Sequence, residues 1–245
     1  MRIFMMSAAA AAALLAPAQA EAQTQGYVDL SVGQSSFDSL DLDTVTIGGA
    51  AVADLSGGWR AQFEADVTRM SEDDGALTLT NAAAHVYYDA GDWAVGGVLS
   101  NRDLAFASAW MLGLEGQTHL GSLVLEGEAG FGTLEAFGDE LDVFNADASA
   151  TWYLTDDFSI AGGVAIFDID EFDDEFVTYG IDGEYKFQSS DFSAFAGYSQ
   201  TEFDDEDIDT WRVGVRYAFG DGTLRERRRS GPRWLRGNAV FLPIV

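Results

Sequence analysis

The sequence of 245 residues has no cysteine, few basic residues and, beyond its first twenty positions, no long apolar run. Without cysteine there is no disulfide framework from which to argue a fold. Without a further apolar run of about 20 residues, a bundle of transmembrane helices is excluded, because a helix needs that length to cross a bilayer. The fold must therefore be sought in shorter, patterned segments.

Basic residues are scarce through most of the chain. The whole sequence has 13 lysine and arginine residues against 41 aspartate and glutamate residues, and residues 21–219 hold only six of the basic ones. This acidic excess argues against nucleic acid as a partner and favours cations. Because 47% of the residues are hydrophobic and 13% aromatic, in a periodic arrangement, we do not expect disorder before residue 220.

The first twenty residues have the pattern of an export signal. Arg2 is positively charged, residues 3–15 are apolar and rich in alanine, and residues 18–20 read Ala-Gln-Ala, which matches a signal-peptidase cleavage site. We therefore expect a signal peptide over residues 1–20 and a mature chain that begins near Glu21. An uncleaved helical anchor over residues 3–16 is the alternative, although it is shorter than a bilayer requires.

Alternating hydrophobicity is the dominant pattern of the mature chain. In residues 59–68 the apolar side chains occupy the odd positions and the polar or charged ones the even positions. A period of two is typical of a strand with one face in an apolar medium. The pattern recurs about twelve times behind an export signal. It therefore predicts a transmembrane, up-and-down antiparallel β-barrel over residues 21–219, with apolar residues toward lipid and polar residues toward a lumen.

We predict twelve strands, many of about ten residues, which is the length of a tilted strand that crosses a bilayer. The predicted ranges are 26–35, 44–53, 58–69, 77–88, 92–100, 108–119, 122–132, 143–154, 158–167, 176–187, 191–199 and 209–219. The connections alternate between short turns and longer acidic segments, the latter being 36–43, 70–76, 101–107, 133–142, 168–175 and 200–208. Short turns on one side and longer loops on the other are typical of outer-membrane barrels, whose turns and termini face the periplasm.

Aromatic residues cluster where the predicted strands meet the short turns, as in Tyr87-Tyr88 and Trp152-Tyr153. Such a girdle is typical of a membrane interface. A soluble sandwich or lipocalin-type barrel would show the same alternation in the opposite sense. Strand length, turn asymmetry and the girdle favour the membrane barrel. Inward charges such as Glu126 and Asp182 also favour it, because a soluble core would accept them only at a heavy desolvation cost.

The last predicted strand, Trp211-Arg-Val-Gly-Val-Arg-Tyr-Ala-Phe219, resembles the terminal strand of Gram-negative porins. The following residues 220–231 resemble the short Arg/Ser/Gly tail of some alphaproteobacterial porin-like proteins. The resemblance implies an outer-membrane location, passive transport and an assembly signal, Tyr217 and Phe219, that is read by the barrel-assembly machinery. The chain departs from general-diffusion porins, which have about sixteen strands and a long, constricting third loop. Here the third long connection, 101–107, is short.

We expect function to reside in the lumen, where nine acidic and four basic side chains face inward on the predicted register. The predicted pore-lining residues are Asp29, Arg60, Glu64, Asp66, Glu115, Glu126, Glu128, Asp147, Asp182, Glu184, Lys186, Arg212 and Arg216. Arg60, Arg212 and Arg216 are expected to face carboxylates across a narrow lumen and so to orient water and small solutes. The alternative is that the same charges pair with each other and plug the barrel.

The sequence predicts no catalytic residue, no cofactor and no metal site. The two histidines, His85 and His119, stand outside any Gly-x-Ser-x-Gly or comparable setting and are interpreted as polar residues of the lumen. The acidic segments 168–175 and 202–209 lack the spacing of an EF-hand. We interpret them as a solvated rim. Divalent ions that bridge them to lipopolysaccharide phosphates are the alternative hypothesis.

The composition changes after Phe219, because residues 220–236 contain six arginines. We expect residues 220–245 to form a basic periplasmic tail. It would either bind anionic headgroups or peptidoglycan carboxylates or form a disordered end.

The sequence as a whole predicts a non-enzymatic channel for passive diffusion of small hydrophilic solutes, with a preference for cations. Its expected partners are outer-membrane lipid and lipopolysaccharide, the barrel-assembly machinery, and small cations and solutes. The alternative is a closed structural or adhesive outer-membrane barrel that acts through its acidic extracellular loops.

Overall fold

The computed structural model describes residues 25–37, 40–72, 75–104, 106–170, 175–203, 206–220 and 222–232. The predicted signal peptide, residues 233–245 and the centres of both acidic segments lie outside the described residues. No helix in these ranges is long and apolar enough to cross a membrane.

Twelve antiparallel strands form a closed up-and-down barrel, in which each strand pairs with its neighbours in the chain and β1 pairs with β12. The predicted fold class is therefore confirmed. The strands are β1 (Gln25–Phe37), β2 (Leu40–Asp54), β3 (Trp59–Glu72), β4 (Gly75–Asp89), β5 (Trp93–Leu104), β6 (Ala107–Leu120), β7 (Leu123–Ala136), β8 (Asp139–Thr155), β9 (Phe158–Ile169), β10 (Phe176–Lys186), β11 (Phe192–Phe203) and β12 (Glu206–Phe219). A helix, α1 (Leu224–Ser230), follows β12.

The predicted long loops are wrong in one respect, because most of their residues belong to strands. Between β7 and β8, for example, only Phe137 and Gly138 remain outside the two strands, and Glu135 is paired in register with Glu140. The acidic composition suggested loops. However, the hairpins continue their backbone ladder past the apolar part of the barrel, where carboxylates on the strand faces are solvated. We call this end of the barrel the loop side.

The opposite end, the turn side, carries the five short connections 55–58, 90–92, 121–122, 156–157 and 187–191. Exposed aromatic rings gather there on the outer wall. The ring of Tyr88 lies 5.8 Å from Trp59 and 5.8 Å from Trp93, and Phe192 lies 5.1 Å from Tyr217. The predicted aromatic girdle therefore contains contacts between rings of neighbouring strands.

The outer wall is apolar, as the predicted register requires. Leu112, Leu114 and Phe131 are 68%, 74% and 71% exposed, and similar residues continue around the other strands. Monomeric soluble proteins rarely expose so continuous an apolar surface. The alternation therefore has the sense of a lipid-facing barrel rather than that of a soluble one.

The interior differs between the two ends of the barrel. Near the loop side, apolar residues of β6–β10 pack together inside the wall. This loop-side cluster consists of Ala109, Met111, Leu134, Val143, Phe167, Ile169 and Phe176. A smaller group, Met70, Leu79 and Leu104, lies inside β3–β5. The interior of this arc is thus filled near the loop side, and open space is confined to other parts of the lumen.

Candidate functional site

Polar side chains fill the turn-side half of the lumen against β3–β7. His85 is 1% exposed. Its Nδ1 lies 2.7 Å from Oε2 of Glu115, and its Nε2 lies 3.7 Å from Oε1 of Glu64. Gln62 and Tyr87 are fully buried beside it. This packed block explains why only part of the lumen remains open.

Glu126 joins the packed block to the rest of the lumen. Its Oε2 accepts a hydrogen bond from Nε2 of Gln117 at 2.9 Å, and its Oε1 accepts one from Oγ of Ser149 at 2.8 Å. His119 continues the network, with its Nε2 3.1 Å from Oε1 of Gln117. The third partner of Glu126 is Arg228 of α1, whose Nη2 lies 2.5 Å from Oε2 of Glu126. Both histidines therefore serve the interior packing.

Two neighbouring chambers occupy the open part of the lumen. The major chamber has a volume of about 220 Å³ and is lined chiefly by β8–β12 together with α1. The minor chamber has a volume of about 110 Å³ and is lined chiefly by β1–β5, β11 and β12. Both chambers are bordered by Tyr27, Arg102, Phe195, Arg212 and Arg216. We call these five residues the constriction.

Arg216 is held in the constriction by two carboxylates and two aromatic rings. Its Nη1 donates a hydrogen bond to Oε2 of Glu184 at 2.8 Å, and its Nη2 donates one to Oδ2 of Asp29 at 2.9 Å. Its guanidinium lies 4.2 Å from the ring centre of Tyr27 and 5.2 Å from that of Phe195. Charge pairing and contact with two aromatic faces together fix its position between the two chambers.

Arg212 lies nearer the loop side of β12 than Arg216 does, and it forms a second ion pair. Its Nη2 donates to Oδ1 of Asp182 at 2.6 Å, and its guanidinium lies 5.6 Å from the ring centre of Phe195. The pair passes over β11 at Gly197, which is in register with both partners. A side chain at Gly197 would overlap Asp182, so glycine at this position permits the contact.

The structure brings most of the predicted pore residues to the chambers. The major chamber is lined by Glu126, Glu128, Asp147, Asp182, Glu184, Lys186, Arg212 and Arg216. The minor chamber is lined by Asp29, Glu64, Asp66, Arg212 and Arg216. Glu115 lies inside the packed block, 3% exposed. Arg60 lies at the turn side, where it pairs with Asp54 and Asp89 at 2.7 and 3.2 Å. That all of these residues line a pore stays a prediction.

The acidic residues of β6–β8 form a row across the barrel wall. Glu115 is in register with Glu128, and Glu128 is in register with Asp147. This row lies on the wall of β6–β8, whereas Arg212 and Arg216 bind carboxylates of β1 and β10. Arg212 and Arg216 are thus paired with carboxylates on the wall of β1 and β10–β12. The acidic row lies on a different wall. Within the described ranges, no group of three or more potential ligand side chains is placed to hold a metal ion.

Sequence reasoning missed Arg102, which borders both chambers. It was placed in a predicted loop, but β5 extends through Leu104. The available signal was the alternation of strand positions. Arg102 is an even-numbered position of β5, as are Ala94, Val98 and Ser100, which are all buried inside the barrel. Continuing the alternation of strand five past its predicted end would have placed Arg102 in the lumen.

The residues of the predicted assembly signal lie at the turn-side end of β12. Tyr217 is exposed on the outer wall. Phe219 is in register with Gly26 of β1, and its ring occupies the space that a side chain at Gly26 would need. The terminal aromatic residue therefore packs directly on the seam that closes the barrel.

Comparison with known proteins shows similarity at the level of the fold. No family model matches the sequence, and no curated protein matches it. Among solved structures, the NanC porin matches with a TM-score of 0.62 and 11% identity, covering 78% of this chain and 98% of the porin. The KdgM porin matches with a TM-score of 0.57 and 11% identity, covering 78% of this chain and 99% of the porin. An anion-selective porin from Comamonas acidovorans matches with a TM-score of 0.51 and 12% identity, covering 81% of this chain and 99% of the porin.

Proposed function

We propose that this protein is a porin-like, non-enzymatic channel of a Gram-negative outer membrane that lets small hydrophilic solutes pass by diffusion. The observation that carries the proposal is the pair of chambers that are lined by charged side chains and share the constriction residues. Both chambers lie in the lumen beside the packed block. The porins of similar fold support this function, and the exposed apolar wall with its aromatic girdle supports the membrane location.

The dimensions of the lumen limit the solute. The packed block and the loop-side cluster fill much of the interior, and the chambers measure about 220 and 110 Å³. The constriction narrows the route further with three arginines and two aromatic rings. We therefore propose ions and solutes of a few non-hydrogen atoms as the cargo, rather than the larger solutes of wide porins.

We propose that the preference for cations arises at the loop side. Acidic residues crowd the strand ends there, namely Asp41, Asp43, Glu72, Asp103, Glu135, Asp139, Glu140, Asp142, Asp168, Glu175, Glu202, Glu206, Asp207 and Asp209. Such a rim raises the local concentration of cations. At the constriction, by contrast, Arg212 and Arg216 are matched by Asp29, Asp182 and Glu184. The rim is therefore expected to set the sign of selectivity.

The proposed partners follow from the same location. Outer-membrane lipid and lipopolysaccharide would surround the apolar wall, and the barrel-assembly machinery would read Tyr217 and Phe219 at the end of β12. Small cations and solutes would pass through the chambers.

A liposome-swelling assay with a matched pair of variants tests the proposal. Ala161 lines the major chamber, whereas Ala129 faces outward from β7. Ala161→Trp should abolish most of the uptake of small neutral solutes such as glycerol, because the indole fills the chamber. Ala129→Trp should leave uptake at the wild-type rate. Equal uptake by both variants would contradict the proposal.

A closed structural barrel is the second candidate function. The observation that favours it is the loop-side cluster, which fills the interior of β6–β10 with apolar side chains. In such a barrel the acidic rim would act from the surface. A folded barrel that admits no solute in the swelling assay even after removal of residues 220–245 would favour this candidate.

A further inference from the structure

We infer that α1 is a plug that closes the turn-side mouth of the barrel, and that its release opens the proposed channel. The inference rests on the proposed function and adds its regulation. Four of the six arginines in the predicted basic tail, those at 225 and 227–229, lie in this helix. The other two, Arg233 and Arg236, lie outside the described residues.

The chain returns beneath the barrel directly after β12. Gly220 and Gly222 have φ angles of +138° and +111°, a region of backbone conformation that glycine enters readily. Thr223 then starts α1 with a capping box, in which its side chain accepts from the amide of Glu226 and its own amide donates to the Glu226 carboxylate. The sequence after the last strand thus builds a sharp reversal followed by a defined helix start.

The helix contacts the rim at or beside every one of the five short turns. The amide of Arg225 donates to the carbonyl of Asp156 at 3.0 Å, and its Nη2 donates to the carbonyl of Gly121 at 2.6 Å. Arg227 pairs with Asp191 at 2.6 Å, and Arg229 pairs with Asp92 at 3.3 Å. The remaining turn, 55–58, is next to Arg60, whose Nη1 donates to the carbonyl of Ser230 at 3.1 Å. The contacts therefore encircle the mouth.

One arginine of the helix enters the lumen itself. Arg228 is 4% exposed, and its Nη2 lies 2.5 Å from Oε2 of Glu126. Arg228, Leu224 and Arg227 line the major chamber. The helix therefore forms the turn-side boundary of the space through which solutes would pass. Its Arg228 forms an ion pair with Glu126, the residue that joins the major chamber to the packed block.

The contacts of the helix are of a kind that can be released. The helix has seven residues, too few to be stable without tertiary contacts, and Leu224 is its one apolar residue. Arg229 and Asp92 have side-chain exposures of 43% and 78%, and Arg225 and Asp156 have 33% and 66%. Exposed ion pairs are individually weak and are screened by salt. Apart from the buried pair of Arg228 and Glu126, the plug is thus held by several weak contacts rather than by an apolar core.

The matched test compares an unlatched and a locked form of the mature chain in planar bilayers. The unlatched form carries Arg225→Ala, Arg227→Ala and Arg229→Ala, which remove the three rim pairs. The locked form carries Asp156→Cys and Arg225→Cys. The amide of Arg225 donates to the carbonyl of Asp156 at 3.0 Å, so the two backbones are close enough for a disulfide at these positions to be tested. The chain has no other cysteine. Arg69→Ala, a loop-side change, is the control for lost positive charge.

The plug predicts that the unlatched form has an open probability about tenfold above wild type, the sum of three weak contacts, with Arg69→Ala unchanged. It also predicts that oxidation of the locked form lowers conductance and that a reductant restores it. Equal conductance in all forms, with no effect of oxidation, would overturn the plug and leave the proposed function intact. Silence of every form, including the unlatched one, in folded heat-modifiable protein would overturn the proposed function instead.

Discussion

Arg212 of β12 and Asp182 of β10 form an ion pair of 2.6 Å that passes over the intervening strand β11. Gly197 of β11 lies in register between them. The pair exists because that position has no side chain. This row of Asp182, Gly197 and Arg212 shows how glycine inside a narrow barrel makes room for charged groups.

Replacing Gly197 with alanine should separate Arg212 from Asp182. The new methyl group would overlap the carboxylate of Asp182, so we expect a loss of about 1–3 kcal/mol in the free energy of unfolding, as for other overpacked sites. The measurement is urea unfolding of the protein in lipid vesicles.

Gly183→Ala is the control for that experiment. The nearest atom to a side chain at Gly183 would lie 3.8 Å away, so this variant should be neutral or slightly stabilised, since alanine restricts the unfolded chain. Equal losses for the two variants would mean that the Arg212–Asp182 pair has no special dependence on Gly197.

Replacing Arg216 with methionine should destabilise the barrel and change its selectivity. Asp29 and Glu184 would lose their common partner, and removal of one member of a buried ion network costs about 3 kcal/mol. The two freed carboxylates should also shift the reversal potential toward greater cation selectivity. Unfolding in urea and reversal potentials under a KCl gradient measure the two effects.

Arg69→Met removes the same charge outside the lumen and serves as the reference for Arg216→Met. We expect its stability and its reversal potential to stay close to those of the wild type. If Arg216→Met behaved like Arg69→Met in both measurements, the constriction would have neither the structural nor the electrostatic role assigned to it.

Placing a charge on the outer wall should show where the bilayer lies. Leu114 is 74% exposed at the centre of β6, and Leu55 is 52% exposed in the first short turn. In a bilayer, Leu114→Arg should cost about 2–4 kcal/mol and Leu55→Arg about 0–1 kcal/mol. Urea unfolding in vesicles checks the difference. Similar small changes at both sites would contradict a lipid-facing wall, because exposed positions in water tolerate arginine.

Acid should weaken helix α1 through Glu226. Hydrogen bonds from the amide and hydroxyl of Thr223 hold the pKa of the Glu226 carboxyl below its ordinary value of 4.5. Because the folded pKa is the lower one, the stabilisation is complete above 4.5 and is lost as pH falls through the folded pKa. Backbone chemical shifts of residues 224–230 between pH 7 and pH 2 should show this loss of helix.

Glu226→Gln isolates the contribution of that one carboxyl. The rim carboxylates Asp92, Asp156, Asp157 and Asp191 also contact the helix and lose their charge in acid. The variant should therefore retain only the part of the acid transition that the rim produces, and it should have less helix than the wild type at pH 7. Identical titration curves for both proteins would refute the role of the capping box.

The barrel was predictable because its cause is local and repeated. Each strand carries its own alternation, and residues 59–68 illustrate it without reference to any other strand. That the side chains of Glu126, Asp182 and Arg216 point into the lumen follows from the alternation of even and odd positions alone. The ends of the strands were less predictable, since acidic composition marked residues 133–142 as a loop while pairing of β7 with β8 extends the ladder almost to the tip.

The partners of the lumen residues were beyond sequence reasoning. Arg216 and Asp29 are 187 positions apart and meet only because β12 closes against β1. The helix α1 was missed for a related reason. Its arginines resemble a disordered basic tail by composition, and the carboxylates that bind them come from turns scattered along the chain, such as those at Asp92 and Asp191.

Single-channel recording of the refolded mature protein in a planar bilayer under a KCl gradient tests the central claim most directly. We expect discrete conductance steps, small in size because of the constriction, with a reversal potential of the sign that cation selectivity gives. A correctly folded, heat-modifiable barrel that stays silent in both the wild-type and the unlatched form would contradict the channel.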